Sequence, residues 1–171
     1  GELYFEGAST GPSEPSTYTP FHPEVVKEFV RAHRFDPRDL VDPTSPRFWR
    51  SDPHSLRIWS AYRDRLITDL HQKTIAKLAT LFPADRIMVT VIDDRYLPGG
   101  EPYRAPGSLA SNIGSDSRAI LALRSQQPFM VQVEDPFTQW VGPPDRFREF
   151  AKLYDEVDAS SLVLDVNVVE R

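Results

Sequence analysis

Three short apolar runs constrain what this chain can fold into. They cover residues 86–94, 129–135 and 162–169, and each carries acidic or amide side chains near its end. Each run is rich in aliphatic and β-branched residues and has the length of a strand, and helical periods separate them. Near-continuous apolar strands alternating with helices are typical of a parallel sheet buried on both faces. We therefore predict an α/β fold, either a partial TIM-barrel-like sheet or a small open sheet.

The segments around the runs predict helices. A first helix begins at Pro23 and ends near His33, and residues 36–43 form a short helical turn. A long helix begins at the cap Asp52 and continues to about Phe82. Two further helices cover residues 115–125, capped by Ser115, and residues 143–157.

The long helix has an apolar stripe with spacings of three and four, which we expect to pack on the sheet. Arg63 and Asp64 are expected among the polar residues that solvate its other side. The stripe comprises Leu56, Trp59, Tyr62 or Arg63, Leu66, Ile67, Leu70, Thr74, Leu78 and Leu81.

The chain divides into a leader, residues 1–20, and one α/β domain, residues 21–171. Residues 1–7 resemble the remnant of a protease site left by cloning, and the Ser-, Thr- and Pro-rich stretch that follows is typical of a flexible segment. The length of 171 residues is enough for one core.

Bulk properties exclude several classes. The net charge of -5 and the lack of a basic stripe argue against a nucleic-acid surface. No apolar run approaches the roughly 20 residues of a membrane span. The sequence has no cysteine, no phosphate-cradling loop and no nucleophile elbow. Histidines occur only on predicted helices or their starts, where we expect surface or capping roles: His22, His33, His54 and His71.

Side chains alternate between the two faces of a strand, so every second side chain lies on the same face. In each of the three runs, polar side chains occupy alternate positions and therefore share one face, which we call one parity. A polar group inside an apolar run costs about 1–3 kcal/mol unless it is satisfied. A shared polar crevice or barrel interior would satisfy all three strands. An Asp or Asn at a strand end is also a common turn former, so a structural role stays open for each. The residues of this parity are Thr90, Ile92 and Asp94, then Gln132 and Glu134, then Asp165 and Asn167.

Carboxylates that converge on one cleft suit glycoside hydrolysis, which needs one protonated and one ionised acid. Burial among like charges can separate their pKa values in this way. Glu134 is the candidate general acid/base, and Asp94 or Asp165 the nucleophile or stabiliser. Gln132 and Asn167 are candidates for positioning sugar hydroxyls.

Further candidates for substrate binding are Trp140 and Tyr96, whose rings can stack on sugars, and Arg95. A weaker option is a hard cation held by residues 93–94 and 134–135 through oxygen ligands. No histidine lies near these strands, which disfavours a zinc or iron site, and we predict neither a metal nor a cofactor.

Taken together, several stretches resemble bacterial glycoside-hydrolase-like (β/α)8 barrels, grouped loosely with family-10-like hydrolases. The resemblance implies a secreted or periplasmic enzyme that acts on a polysaccharide. A complete barrel has eight strands and about 250 residues, so the resemblance implies a partial one, completed by self-association or a partner chain. The stretches are Phe21-His-Pro-Glu-Val-Val, Phe35-Asp-Pro, Trp59-x-x-Tyr-Arg, Val91-Ile-Asp-Asp-Arg, Gln132-Val-Glu-Asp-Pro through Trp140, and Asp165-Val-Asn-Val-Val.

Two alternatives remain open. One is a non-catalytic binding or assembly module that docks through its sheet edge, with structural carboxylates. The other is an open flavodoxin-like domain that binds a small ligand or Mg²⁺ at its strand ends.

Overall fold

The computed structural model describes residues 20–92, 114–134 and 157–164, with the backbone alone at Glu134 and Leu164. The helices and strands in this part are α1 (Pro23–His33), a 3-10 turn (Pro37–Val41), α2 (Pro53–Ala79), a 3-10 turn (Ala84–Arg86), β1 (Met88–Ile92), α3 (Ser117–Ala122) with a 3-10 turn (Leu123–Ser125), β2 (Met130–Glu134) and β3 (Leu162–Leu164). The predicted α/β class is confirmed. The leader before Pro20 and the helix predicted over residues 143–157, apart from Val157, lie outside the described residues.

Helix starts follow from local sequence as predicted. The His22 ring accepts a hydrogen bond of 3.3 Å from the amide of Glu24, so this histidine caps α1. The Asp52 carboxylate accepts one of 3.1 Å from the amide of Ser55 and caps α2. The predicted cap of α3 is wrong by one residue. Asp116, not Ser115, accepts from the first amides of that helix, and Ser115 is buried.

The three strands form one parallel sheet in the order β1-β2-β3. The register places Met88 beside Met130, Thr90 beside Gln132, and Gln132 beside Val163. The three predicted strands and their parallel direction are confirmed over the described residues, and the part of the third strand predicted beyond Leu164 lies outside them.

Two apolar clusters lie along α2, which spans about 40 Å. Its N-terminal half packs with α1 and the 3-10 turn in the amino-terminal cluster, and its C-terminal part packs with α3 on the sheet in the sheet cluster. The amino-terminal cluster comprises Phe29, Phe35, Leu40, Leu56, Trp59 and Tyr62. The sheet cluster comprises Ile75, Ile87, Val89, Val91, Ile120, Leu121, Leu123, Phe129, Val131, Val133 and Val157.

The prediction that one stripe of α2 packs on the sheet is wrong. Leu70 and Leu81 are exposed, whereas Arg63 is only 1% exposed and Asp64 is buried. The helix changes packing partners along its length, so the buried side at Trp59 differs from the buried side near its C-terminus. Arg63 and Asp64 lie in the stretch between these two contacts.

The prediction that the sheet is buried on both faces is also wrong. Side chains of one parity, including Val89, Val91 and Val131, are buried in the sheet cluster. On the opposite face of the sheet, Met88 is 52% exposed and Val163 is 37% exposed. The helices of the sheet cluster thus cover only one face of the described sheet.

Candidate functional site

The uncovered face of the sheet is the candidate site. We call it the open face and define it by five residues: Met88 and Thr90 of β1, Met130 and Gln132 of β2, and Val163 of β3. Met88, Thr90 and Val163 are exposed, and Met130 and Gln132 are half-buried. Neighbouring strands lie about 4.8 Å apart, so these side chains form a continuous surface.

The two methionines of the sequence, Met88 and Met130, lie side by side on the open face. Methionine is flexible and polarisable, and proteins use it heavily on surfaces that bind other proteins. The pair forms the apolar end of the open face, near the start of β1 and β2. Both methionines of the chain therefore lie on the open face and not in either apolar cluster.

A polar row crosses the middle of the open face. The Thr90 hydroxyl donates a hydrogen bond of 3.3 Å to the side-chain oxygen of Gln132. The two residues are partners in the parallel register, and Val163 lies beside Gln132 on the third strand. The shared parity predicted for Thr90 and Gln132 is therefore confirmed, and Gln132 is the one predicted binding residue whose side chain the structure describes.

The carboxyl edge of the sheet is anchored from α3. The Ser117 hydroxyl donates a hydrogen bond of 3.1 Å to the carbonyl of Ile92, the last residue of β1. The backbone of Glu134, the last residue of β2, is level with Ile92. The predicted acid/base residue therefore stands at the end of the central strand, two residues beyond Gln132.

The other predicted site residues lie outside the described part of the chain. They are Asp94, Asp165, Asn167, Trp140, Tyr96 and Arg95, together with the Asp93 and Asp135 of the hard-cation option. Within residues 20–92, 114–134 and 157–164, no group of three His, Asp or Glu side chains is arranged to hold a metal ion.

Buried polar groups on α2 were missed by sequence reasoning. Arg63, Asp64 and His71 are all buried, so the surface or capping role predicted for His71 is wrong. The His71 Nδ1 lies 2.9 Å from the carbonyl oxygen of Ile67, so this nitrogen carries the proton and donates. Burial lowers the pKa of His71, and the hydrogen bond to Ile67 opposes that shift. A spacing signal was present for His71, because it lies four residues after Ile67 and four before Ile75, which are both buried on the same side of α2.

The turn before β3 is held by charge. Arg124 donates through Nε to the carbonyl of Phe129 at 3.0 Å and through its terminal nitrogen to Asp158 at 3.2 Å. Hydrogen bonds from Ser160, Ser161 and then Arg124 lower the pKa of Asp158 to about 2. This network holds the turn that leads into β3 beside the start of β2.

Comparison of the chain with protein-family models, with curated proteins and with solved structures finds no match. Among the described helices, none combines the length and apolar character of a membrane span.

Proposed function

We propose that this chain is an α/β binding module that docks a protein partner on the open face of its sheet. One observation carries the proposal: the described helices cover a single face of the sheet, while Met88 and Val163 on the other face are exposed. Parallel sheets occur almost only with both faces covered. The exposed face of the described sheet is therefore a natural place for a partner.

The chemistry of the open face suits a protein rather than an ion or a nucleic acid. Met88, Met130 and Val163 supply apolar contact area, and the Thr90–Gln132 row supplies hydrogen-bonding groups near its centre. Protein interfaces combine such apolar contact with a limited number of hydrogen bonds. The five residues of the open face carry no charge.

An uncharged apolar dye such as Nile red tests for docking without a known partner. We expect the folded chain to bind the dye, and Met88→Lys to weaken binding by about tenfold or more because it places a charge in the contact. Leu81→Lys is the matched control, since Leu81 is an apolar residue of 63% exposure outside the sheet. Equal dye binding by the wild type and both variants would contradict the proposal.

A second candidate function is glycoside hydrolysis. Its support is the parallel order β1-β2-β3 with the cluster helices on one face, which is the arrangement of strands and helices in a (β/α)8 barrel. In such barrels the catalytic groups stand at the carboxyl ends of the strands, where Glu134 ends β2. In this proposal Glu134 is the general acid/base, and Asp94 or Asp165 is the nucleophile or stabiliser.

Sugar contacts in this second proposal come from Gln132 and Asn167. Arg95 and the rings of Trp140 and Tyr96 are further binding residues. Turnover of a polysaccharide panel tests it. We expect Glu134→Gln to abolish hydrolysis while the chain keeps its circular dichroism spectrum and melting temperature. No turnover by the wild-type chain on any polysaccharide of the panel would count against the hydrolase and leave the docking proposal intact.

A further inference from the structure

We infer that Met88 is an oxidation site, and that its conversion to methionine sulfoxide switches off docking on the open face. The inference rests on the proposed docking function and adds its regulation. Three observations carry it: where the sulfur atoms of the chain lie, how exposed each methionine is, and which groups surround Met88.

All the sulfur of the chain lies on the open face. The sequence has two methionines and no cysteine, and Met88 and Met130 are partners in the parallel register of β1 and β2. Peroxides oxidise protein thiols and thioethers, so a chain without thiols directs this chemistry to its thioethers. Oxidation of sulfur in this chain therefore takes place only on the surface proposed for docking.

The two methionines differ in their access to solvent. Met88 lies on β1 and is 52% exposed, whereas Met130 lies on the central strand β2 and is half-buried. Susceptibility of sulfur to oxidants follows its exposure. We therefore expect hydrogen peroxide to oxidise Met88 before Met130.

The oxidation needs hydrogen peroxide alone, and it is reversible. The Met88 sulfur gives two electrons to the peroxide, an S=O bond forms as the O–O bond breaks, and the second oxygen leaves as water. A methionine sulfoxide reductase reverses the step with a dithiol, which becomes a disulfide while the sulfoxide oxygen leaves as water. Met88 can therefore return to the apolar thioether.

The sulfoxide changes the apolar end of the open face. Its S=O group is polar, and the adjacent Met130 side chain has no donor to satisfy it. The Thr90 hydroxyl on the same face already donates to Gln132. A partner seated on the open face would bury the sulfoxide, and burying an unsatisfied polar group disfavours binding.

The fold itself does not depend on the Met88 side chain. Met88 is exposed, and the start of the β1–β2 ladder is held by main-chain groups, with the Met130 amide donating to the Ile87 carbonyl at 2.8 Å. Oxidation of Met88 should therefore change docking and leave the sheet intact.

Nile red binding before and after treatment with hydrogen peroxide tests the inference. A desalting column removes the peroxide, mass spectrometry locates the sulfoxide, and circular dichroism checks that the chain stays folded. We expect the wild type oxidised at Met88 to bind the dye about tenfold or more weakly than the untreated protein. Treatment with sulfoxide reductases and dithiothreitol should restore binding.

Two leucine variants assign the effect to one residue. Met88→Leu keeps the size and apolar character of the side chain, so it should bind Nile red equally well before and after peroxide. Met130→Leu is the matched control, and its binding should weaken on oxidation as that of the wild type does.

The outcomes distinguish failure of the inference from failure of the docking function. A wild type that carries the Met88 sulfoxide and binds Nile red as tightly as before overturns the switch, as does oxidation confined to Met130. In both cases the docking function stands if the untreated wild type binds the dye and Met88→Lys does not. If Met88→Lys binds the dye as well as the untreated wild type, the docking function fails and the switch fails with it.

Discussion

Arg124 and Asp158 form an ion pair of 3.2 Å that joins the segment before β2 to the turn before β3. The pair connects two stretches that are far apart in sequence, and Arg124 also binds the carbonyl of Phe129. It therefore fixes how β3 enters the sheet.

The first prediction concerns acid stability. Because the pKa of Asp158 is lowered from 3.8 to about 2, its contribution to stability is present above pH 3.8 and is lost as the pH falls through about 2. We expect Asp158→Asn to lower the denaturation midpoint near neutral pH, with a difference from wild type that closes toward pH 2. Urea denaturation at a series of pH values measures this. The matched control is Asp85→Asn in the exposed turn before β1. A difference between Asp158→Asn and the wild type that persists at pH 2 would show that the charged Asp158, with its hydrogen bonds from Ser160, Ser161 and Arg124, is not the cause.

The second prediction concerns His71. Its pKa in the folded chain lies below 6.5, chiefly because burial disfavours the charged ring, so the unfolded chain binds a proton more readily than the folded one. The contribution of neutral His71 to stability is therefore fully present above pH 6.5. It is lost as the pH drops through 6.5 toward the lower pKa that His71 has in the folded chain. We expect His71→Gln to lose this part of the pH dependence, as followed by the melting temperature.

The control for His71 is His54→Gln, at an exposed position in the first turn of α2. The melting temperature of this variant should fall between neutral pH and the acid side of pH 6.5 as steeply as that of the wild type. Identical slopes for wild type and His71→Gln would mean that another group titrates.

The third prediction compares the two faces of the sheet. Val131 is fully buried in the sheet cluster, whereas Val163 lies on the open face. Removing two methyl groups from a buried position costs about 0.8 kcal/mol each, plus a term for the cavity left behind. We expect Val131→Ala to lower the free energy of unfolding by about 2 kcal/mol or more and Val163→Ala by less than about 1 kcal/mol.

Urea denaturation of the two valine variants and the wild type measures these losses. Equal losses would indicate that both faces of the sheet are covered within one chain.

The parts of the fold that local sequence determines were predictable. Asp52 with Pro53 begins α2, Pro23 begins α1, and the β-branched runs at β1 and β2 form strands. These features depend on backbone capping and on side-chain shape within a few residues, so they require no knowledge of distant contacts.

The parts that depend on distant packing were not predictable. Periodicity identified a stripe on α2, but it could not show that the partner changes from α1 near Trp59 to the sheet near Ile75. For that reason the burial of Arg63 was missed. The apolar run of β1 likewise did not reveal that Met88 would be exposed while Val89 is buried, since an apolar residue fits either face.

For the candidate site, the sequence predicted that Gln132 shares a face of the sheet with Thr90. It did not predict that the described helices leave this face exposed. The strand pattern suggested a polar interior because a parallel sheet is normally enclosed. Whether a face is covered depends on which side the helices occupy, and this is set by the whole chain topology and not by the strand residues.

The rate at which hydrogen peroxide oxidises Met88 is the most direct test of the open face. Mass spectrometry can follow Met88 and Met130 separately in the folded chain, with the urea-unfolded chain as reference. The account predicts that at high dilution Met88 is oxidised at nearly the unfolded rate and Met130 more slowly, because Met88 is 52% exposed and Met130 is half-buried. Strong protection of Met88 at the highest dilution would contradict it, because the face would then be covered within a single chain.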